Sequence, residues 1–227
     1  RQLYNSFVKL FKDSGYSQEN ILKELRYYAE IFGAFVYGSD RYSDRINKLL
    51  YRLRVLNQTT CYPFLLHVFD DYHQGVITEE TVEKILQFIL AYLLRRMVCG
   101  VPSNTLRGLF TYLYNRIFKV ASNKQKYYET LNKFLFTVSS KDVIPSAAEF
   151  ERALQKANIY GNNALCRFLL LDIENGDGKE ILQAENLTIE HIMPQTLSAD
   201  WSHIRPEEHE EYLHTLGNLS VTGYNSE

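Results

Sequence analysis

Residues 187–195 read Leu-Thr-Ile-Glu-His-Ile-Met-Pro-Gln, and their rhythm differs from everything before them. From Leu187 to Ile192 apolar and polar side chains alternate at period two, which predicts a strand. Pro194 ends it, because proline cannot donate to a ladder. Downstream, Pro206 opens an acidic helix carrying Glu207, Glu208, Glu210 and Glu211, expected to stop near Gly217 as its C-cap. Asn218 to Thr222 alternates again and predicts a second strand. Gly223 supplies a turn, and Asn225-Ser226-Glu227 reads as the start of a further helix.

Upstream the apolar residues recur at helical spacing. Leu3, Phe7, Leu10 and Phe11 make the first stripe. Ser17 is a candidate N-cap for a second helix, and a third covers 41–56. A fourth starts at Pro63 and ends near Gly75. Thr78 caps a long one to about 98, with acids early and Arg95 and Arg96 late, in accord with the helix dipole. Ser103 or Asn104 caps the next, and 124–138, 146–157 and 160–174 complete the run. The stretch 175–180 (Asn-Gly-Asp-Gly-Lys-Glu) reads as a linker. The expected architecture is α+β and mostly α. A large helical domain (1–174) precedes a small two-strand, one-helix module (175–227).

The chain has 227 residues, 45% apolar and 23% charged, which excludes a disordered tail, a collagen-like fibre and a coiled-coil rod. The longest apolar run, 85–94, is too short to span a membrane and contains Gln87. There is no signal peptide, and a start at Arg1 suggests a piece of a longer cytoplasmic protein. Cys61, Cys99 and Cys166 are too scattered for a disulfide framework or a zinc knuckle and read as reduced core thiols. The 31 aromatics fall mainly on the apolar stripes and are expected in the core. The net charge of -2 hides an asymmetry. Residues 1–170 carry 23 basic and 15 acidic side chains, whereas 171–227 carry 2 and 12. A basic module can attract a polyanion, and an acidic one can hold a cation.

Hydrolytic side chains gather in the last 45 residues. Glu190 and His191 are neighbours, so on a strand they point to opposite faces. They converge only at a distorted strand end, such as Pro194 imposes. Carboxylate and amide oxygens, from Glu190, Asn218 and Asn225, are hard donors suited to Mg²⁺ or Mn²⁺. An imidazole beside them can take a proton from water. His203 and His209 do not have zinc spacing, and no phosphate-binding glycine loop is present. Arg41, Arg45, Lys48 and Arg52 recur at i, i+4, i+7 and i+11. They form a basic ridge that is either a solvated face or a sequence-independent contact to phosphates.

The string Glu190-His191-Ile192-Met193-Pro194-Gln195, then Leu216-Gly217-Asn218-Leu219, then Tyr224-Asn225-Ser226-Glu227 resembles the HNH or His-Me finger nuclease motif. More closely it resembles the C-terminal domain of GmrSD-type restriction endonucleases. Residues 61–66 (CYPFLL) and the Arg95-Arg96…Cys99 segment look like the helical region of that family. The resemblance implies a ββα-metal finger holding one Mg²⁺ or Mn²⁺ against a scissile phosphate of DNA, modified or not. It makes His191 the general base, Asn218 the residue that holds the first-strand loop and so the histidine, and Glu190 and Asn225 the metal ligands. Gln195 becomes a phosphate contact and His214 a support for Asn218. A ParB/sulfiredoxin-like NTP-dependent domain is expected upstream. The finger helix would continue past Glu227, so the metal site of this stretch is expected to be incomplete. The alternative is a non-enzymatic helical assembly or DNA-docking module with a vestigial finger.

Overall fold

The computed structural model describes residues 2–15, 17–138, 141–177 and 187–223. These form ten α-helices and one two-stranded antiparallel sheet, so the chain is α+β and mostly helical, as its periodicity predicts. The helices are α1 (Gln2–Ser14), α2 (Gln18–Tyr37), α3 (Asp44–Val55), α4 (Tyr62–His73), α5 (Glu79–Val98), α6 (Leu106–Phe118), α7 (Tyr127–Thr137), α8 (Ala147–Lys156), α9 (Asn163–Asp177) and α10 (Pro206–Tyr212). Between α9 and α10 lies β1 (Thr188–His191), and β2 (Leu219–Thr222) closes the sheet.

Side-chain caps fix several helix starts. Ser17 accepts from the Asn20 N–H, Ser43 from Ile46, and Thr78 from Thr81. Ser146 and Glu149 make a reciprocal capping box at the start of α8. Because the cap of α3 is Ser43, that helix begins at Asp44 rather than 41, and Arg41 lies in the turn before it. The start of α6 also differs from expectation: its N-cap is Thr105, which makes no side-chain cap bond.

Helix α5 is the axis of the fold. It is apolar on nearly every side, the pattern of a buried helix, and α3, α4, α7, α8 and α9 pack on it. Phe35, Phe64, Phe69, Phe110 and, on α5 itself, Tyr92 are fully buried, so these large aromatics are core. Each such side chain contributes roughly 1.5–3 kcal/mol by leaving water. Burial pushes the Cys61 thiol up to about 12 and Cys166 up to about 11, which keeps both protonated. Cys99 is half-buried rather than core.

Among the described residues two charged groups, Asp71 and Arg96, sit inside. Asp71, 2% exposed, accepts from Tyr114 (2.8 Å), Tyr127 (2.9 Å) and Lys124 (2.7 Å), tying α4 to α6, α7 and the turn between them. Arg96 donates to the carbonyls of Val143 (3.2 Å) and Pro102 (2.9 Å) and lies against the Tyr92 ring. It thereby fastens the end of α5 to the chain that leads into α8.

The sheet pairs Thr188 with Thr222 and His191 with Leu219. Leu219 is buried in the same core as the helices, with Ile189 and Val221 packed at its edge. Strand β2 lies on α9, and the turn at 216–218 touches both α8 and α9. The apolar core is therefore continuous from the bundle into the sheet. Helix α9 continues through 175–177, so that part of the expected linker is helical; 178–180 lie outside the described residues. Helix α10 stops at Tyr212, and Gly217 is not its C-cap but the middle of a 3-10 turn, Leu216–Asn218.

Candidate functional site

The end of β1 meets three other segments. His191, the last residue of the strand, is half-buried. Its Nε2 lies 3.2 Å from Nδ1 of His214, and its Nδ1 lies 3.3 Å from Nε2 of Gln195. The ring of Tyr160, from the loop between α8 and α9, meets His191 edge-on with centroids 4.5 Å apart. Tyr160 also stacks on His214 at 5.2 Å and nearly parallel.

An amide nitrogen only donates, so Nδ1 of His191 is the acceptor towards Gln195. The ring proton then sits on Nε2 and is donated to His214 Nδ1. Burial and the neighbouring His214 hold the His191 pKa below the ordinary histidine value, against an opposing pull from Glu190. This favours the neutral ring, and among the described residues its Nδ1 meets the side chain of exposed Gln195.

Asn218 does not face the open side of this cluster. It is 7% exposed, and its amide is fully used inside. Oδ1 accepts from the Met193 N–H at 2.6 Å, while Nδ2 donates to the carbonyls of Met193 (3.2 Å) and Leu213 (2.8 Å). Its own carbonyl accepts from the Ile192 N–H at 2.9 Å. One side chain therefore brackets the loop that follows His191 to the segment that carries His214. This leaves none of the Asn218 donor hydrogens for a ligand. A second clasp joins the same loops: His209 Nε2 lies 2.8 Å from the Pro194 carbonyl, and so carries its proton there. His203 stacks on Trp201 away from this network.

Glu190 points to solvent from the other face of the strand, opposite Ser220. Asn225 lies outside the described residues. Among the described residues no three His, Cys, Asp or Glu side chains come together as a metal cluster. Glu190 and His191 diverge and Asn218 is committed, so the described side chains do not by themselves fit a divalent cation.

The basic ridge is partly neutralised. Arg41 pairs with Glu30 (2.9 Å), Arg52 with Asp172, and Arg45 only loosely with Glu83 (3.9 Å). Arg45 and Lys48 remain exposed on α3. Lys48 and Arg52 line one wall of a 510 Å³ cleft between α3 and the C-terminal half of α9.

Residues 144–227 match the family model of GmrSD restriction endonucleases, C-terminal domain. The match takes in α8, α9, the sheet and α10 and bears out the resemblance read at 187–227; residues 61–66 and 95–99 lie outside it. No curated protein and no solved structure matches the chain.

Proposed function

From the match of residues 144–227 to the C-terminal domain of GmrSD restriction endonucleases, we propose that this protein hydrolyses phosphodiester bonds in DNA, with His191 as the general base. The observation that carries the reading is the His191 ring, whose Nδ1 accepts from the amide of exposed Gln195, with burial and His214 holding its pKa below the ordinary histidine value. Water replaces the Gln195 amide at Nδ1 and gives up a proton there as its oxygen attacks phosphorus. The P–O3′ bond breaks on the opposite side, and the leaving oxygen takes a proton from solvent. Gln195, displaced from the ring, is free to donate to a phosphate oxygen. Asn218 keeps the histidine loop in register throughout.

The described donors do not assemble a cation site, so no step here runs through one. A Mg²⁺ or Mn²⁺ ion held by Glu190 and Asn225 is a separate part of the proposal, with its own test. Mn²⁺ should broaden amide resonances around Glu190 in the wild-type chain and spare them in Glu190→Ala. Equal broadening in both removes Glu190 as a ligand. The proposal also includes a cytoplasmic setting and an upstream ParB/sulfiredoxin-like NTP-dependent domain. Among the described residues no helix is long and apolar enough to cross a membrane.

Nicking of supercoiled plasmid by the intact protein tests the reading. No nicking with either Mg²⁺ or Mn²⁺ hands the function to a non-enzymatic DNA-docking or assembly module. That second reading is favoured by the geometry of the described donors: Glu190 faces solvent from the opposite face of the strand to His191, and the Asn218 amide is spent on backbone groups.

Both readings place DNA across the basic helical part, on the exposed side of α3. Changing Arg45 and Lys48 together to Glu should weaken binding to every sequence about equally. It should also flatten the salt dependence, by about one unit of log–log slope for each phosphate no longer neutralised. A filter-binding series from low to moderate salt measures the slope. An unchanged slope would make the ridge a solvated face.

A further inference from the structure

The Nε2 of the His191 imidazole meets His214, just beyond α10 in the chain, and that partner is itself held from outside the strand pair. The carbonyl of His214 accepts from the N–H groups of Ile159 (2.9 Å) and Tyr160 (3.3 Å). Those two residues lie in a stiff loop. Asn158 Oδ1 accepts the Gly161 N–H at 2.8 Å, the Asn162 N–H reaches the Ile159 carbonyl at 3.1 Å, and Asn162 Oδ1 caps α9 through Leu165. A methyl group at Gly161 would meet Asn158 Oδ1 at 3.2 Å, a close approach that favours glycine there. Ile159 is fully buried and anchors the loop to the bundle. Tyr160 then projects its ring flat against His214 and edge-on to His191.

We infer that His214 is a positioning residue that selects the Nε2–H tautomer of His191, and that Tyr160 keeps His214 in the plane this requires. The inference rests on His191 being the base in the proposed cleavage. It assigns the loop 158–162 to the site, although this loop lies far from the strand motif in sequence. An imidazole with two free nitrogens exchanges between tautomers. An acceptor fixed at Nε2 removes that choice and leaves Nδ1 unprotonated towards water. The hydrogen bond needs the His214 ring to present Nδ1 edge-on, and a parallel tyrosine face on one side restricts its rotation.

Ring ¹⁵N correlation spectra of the 227-residue chain, at about pH 8 where histidines are neutral, read the tautomer without reference to activity. Wild type should show His191 as a single species protonated at Nε2. Because the Gln195 amide also donates to Nδ1, the variants are made on Gln195→Ala; there His214→Phe, which keeps a ring against Tyr160 but has no acceptor, should give a mixture of tautomers at His191. His214→Gln retains an acceptor and should restore the single species. Tyr160→Ala should shift His191 in the same direction as His214→Phe but less far, and Tyr160→Phe should not. In nicking assays on the intact protein, His214→Phe should lower kcat roughly 10–100-fold with KM nearly unchanged, the scale seen when a ligand-orienting partner is removed. Backbone amide spectra show whether each variant is folded. A folded chain carrying Gln195→Ala and His214→Phe with an unaltered His191 tautomer overturns the inference. The expected tautomer shifts in a protein that does not nick DNA would support the positioning and overturn only the nuclease reading.

Discussion

His191→Ala in the intact protein should nick supercoiled plasmid roughly 10²–10⁴-fold more slowly than wild type, the usual contribution of a positioned general base. DNA binding and folding should change little. The imidazole is half-buried at a strand end, and among the described residues its polar partners are the side chains of Gln195 and His214. Its removal frees Gln195 to solvent and leaves His214 stacked on Tyr160. The loss should fall on kcat, because the ring is asked for a proton transfer and not for affinity. Undiminished nicking by a purified His191→Ala protein would end the catalytic assignment and promote the docking module.

Asn218→Asp should be worse than Asn218→Ala, in stability as well as in nicking. The aspartate would keep an acceptor for the Met193 N–H. It would also set a carboxylate against the Met193 and Leu213 carbonyls, which the amide now satisfies by donating at 3.2 and 2.8 Å. Alanine merely leaves those groups unpaired, at about 1–3 kcal/mol. The aspartate adds repulsion at a site only 7% exposed and should lower the midpoint of thermal unfolding further. A metal ligand would behave in the opposite way, since carboxylate for amide strengthens a hard-cation site. Thermal melts of both variants, with and without Mn²⁺, separate the two roles. A stable, metal-responsive Asn218→Asp chain would mean that the bracket is not the function of this residue.

Much of this structure is legible in local sequence. Ser17, Thr78 and Ser146 announce their helices because a cap acts within three residues. The two strands declare themselves by alternation, and His191 and Asn218 stand out because each lies in its own short motif string, 190–195 and 216–219. Local signals fail where tertiary contacts outvote them. Gly176 and its polar neighbours read as a linker, yet α9 continues through them while packed on α3. Gly217 has the look of a C-cap, but the chain needs a tight turn there to aim Asn218 inward. The even spacing of Arg41 with Arg45 suggests one ridge, although Ser43 caps the helix between them. Tyr160 carries no signal at all. It is an ordinary aromatic in a loop, and its place beside His191 arises from packing across 31 residues of chain.

The Asn218 bracket also decides where the chain can change length. It closes, at the base, a long excursion that leaves the sheet after Met193 and returns at Leu213. What lies between the Pro194 carbonyl and the His209 clasp sits on the exposed side of that closure. Residues inserted around 196–198 would add only loop-closure entropy, about 0.6 kcal/mol for each doubling of the loop. A single residue added between His191 and Met193 would instead slide the histidine away from its bracket. The architecture thus separates a stretch open to insertion from one that tolerates none, and the border between them is a single amide side chain.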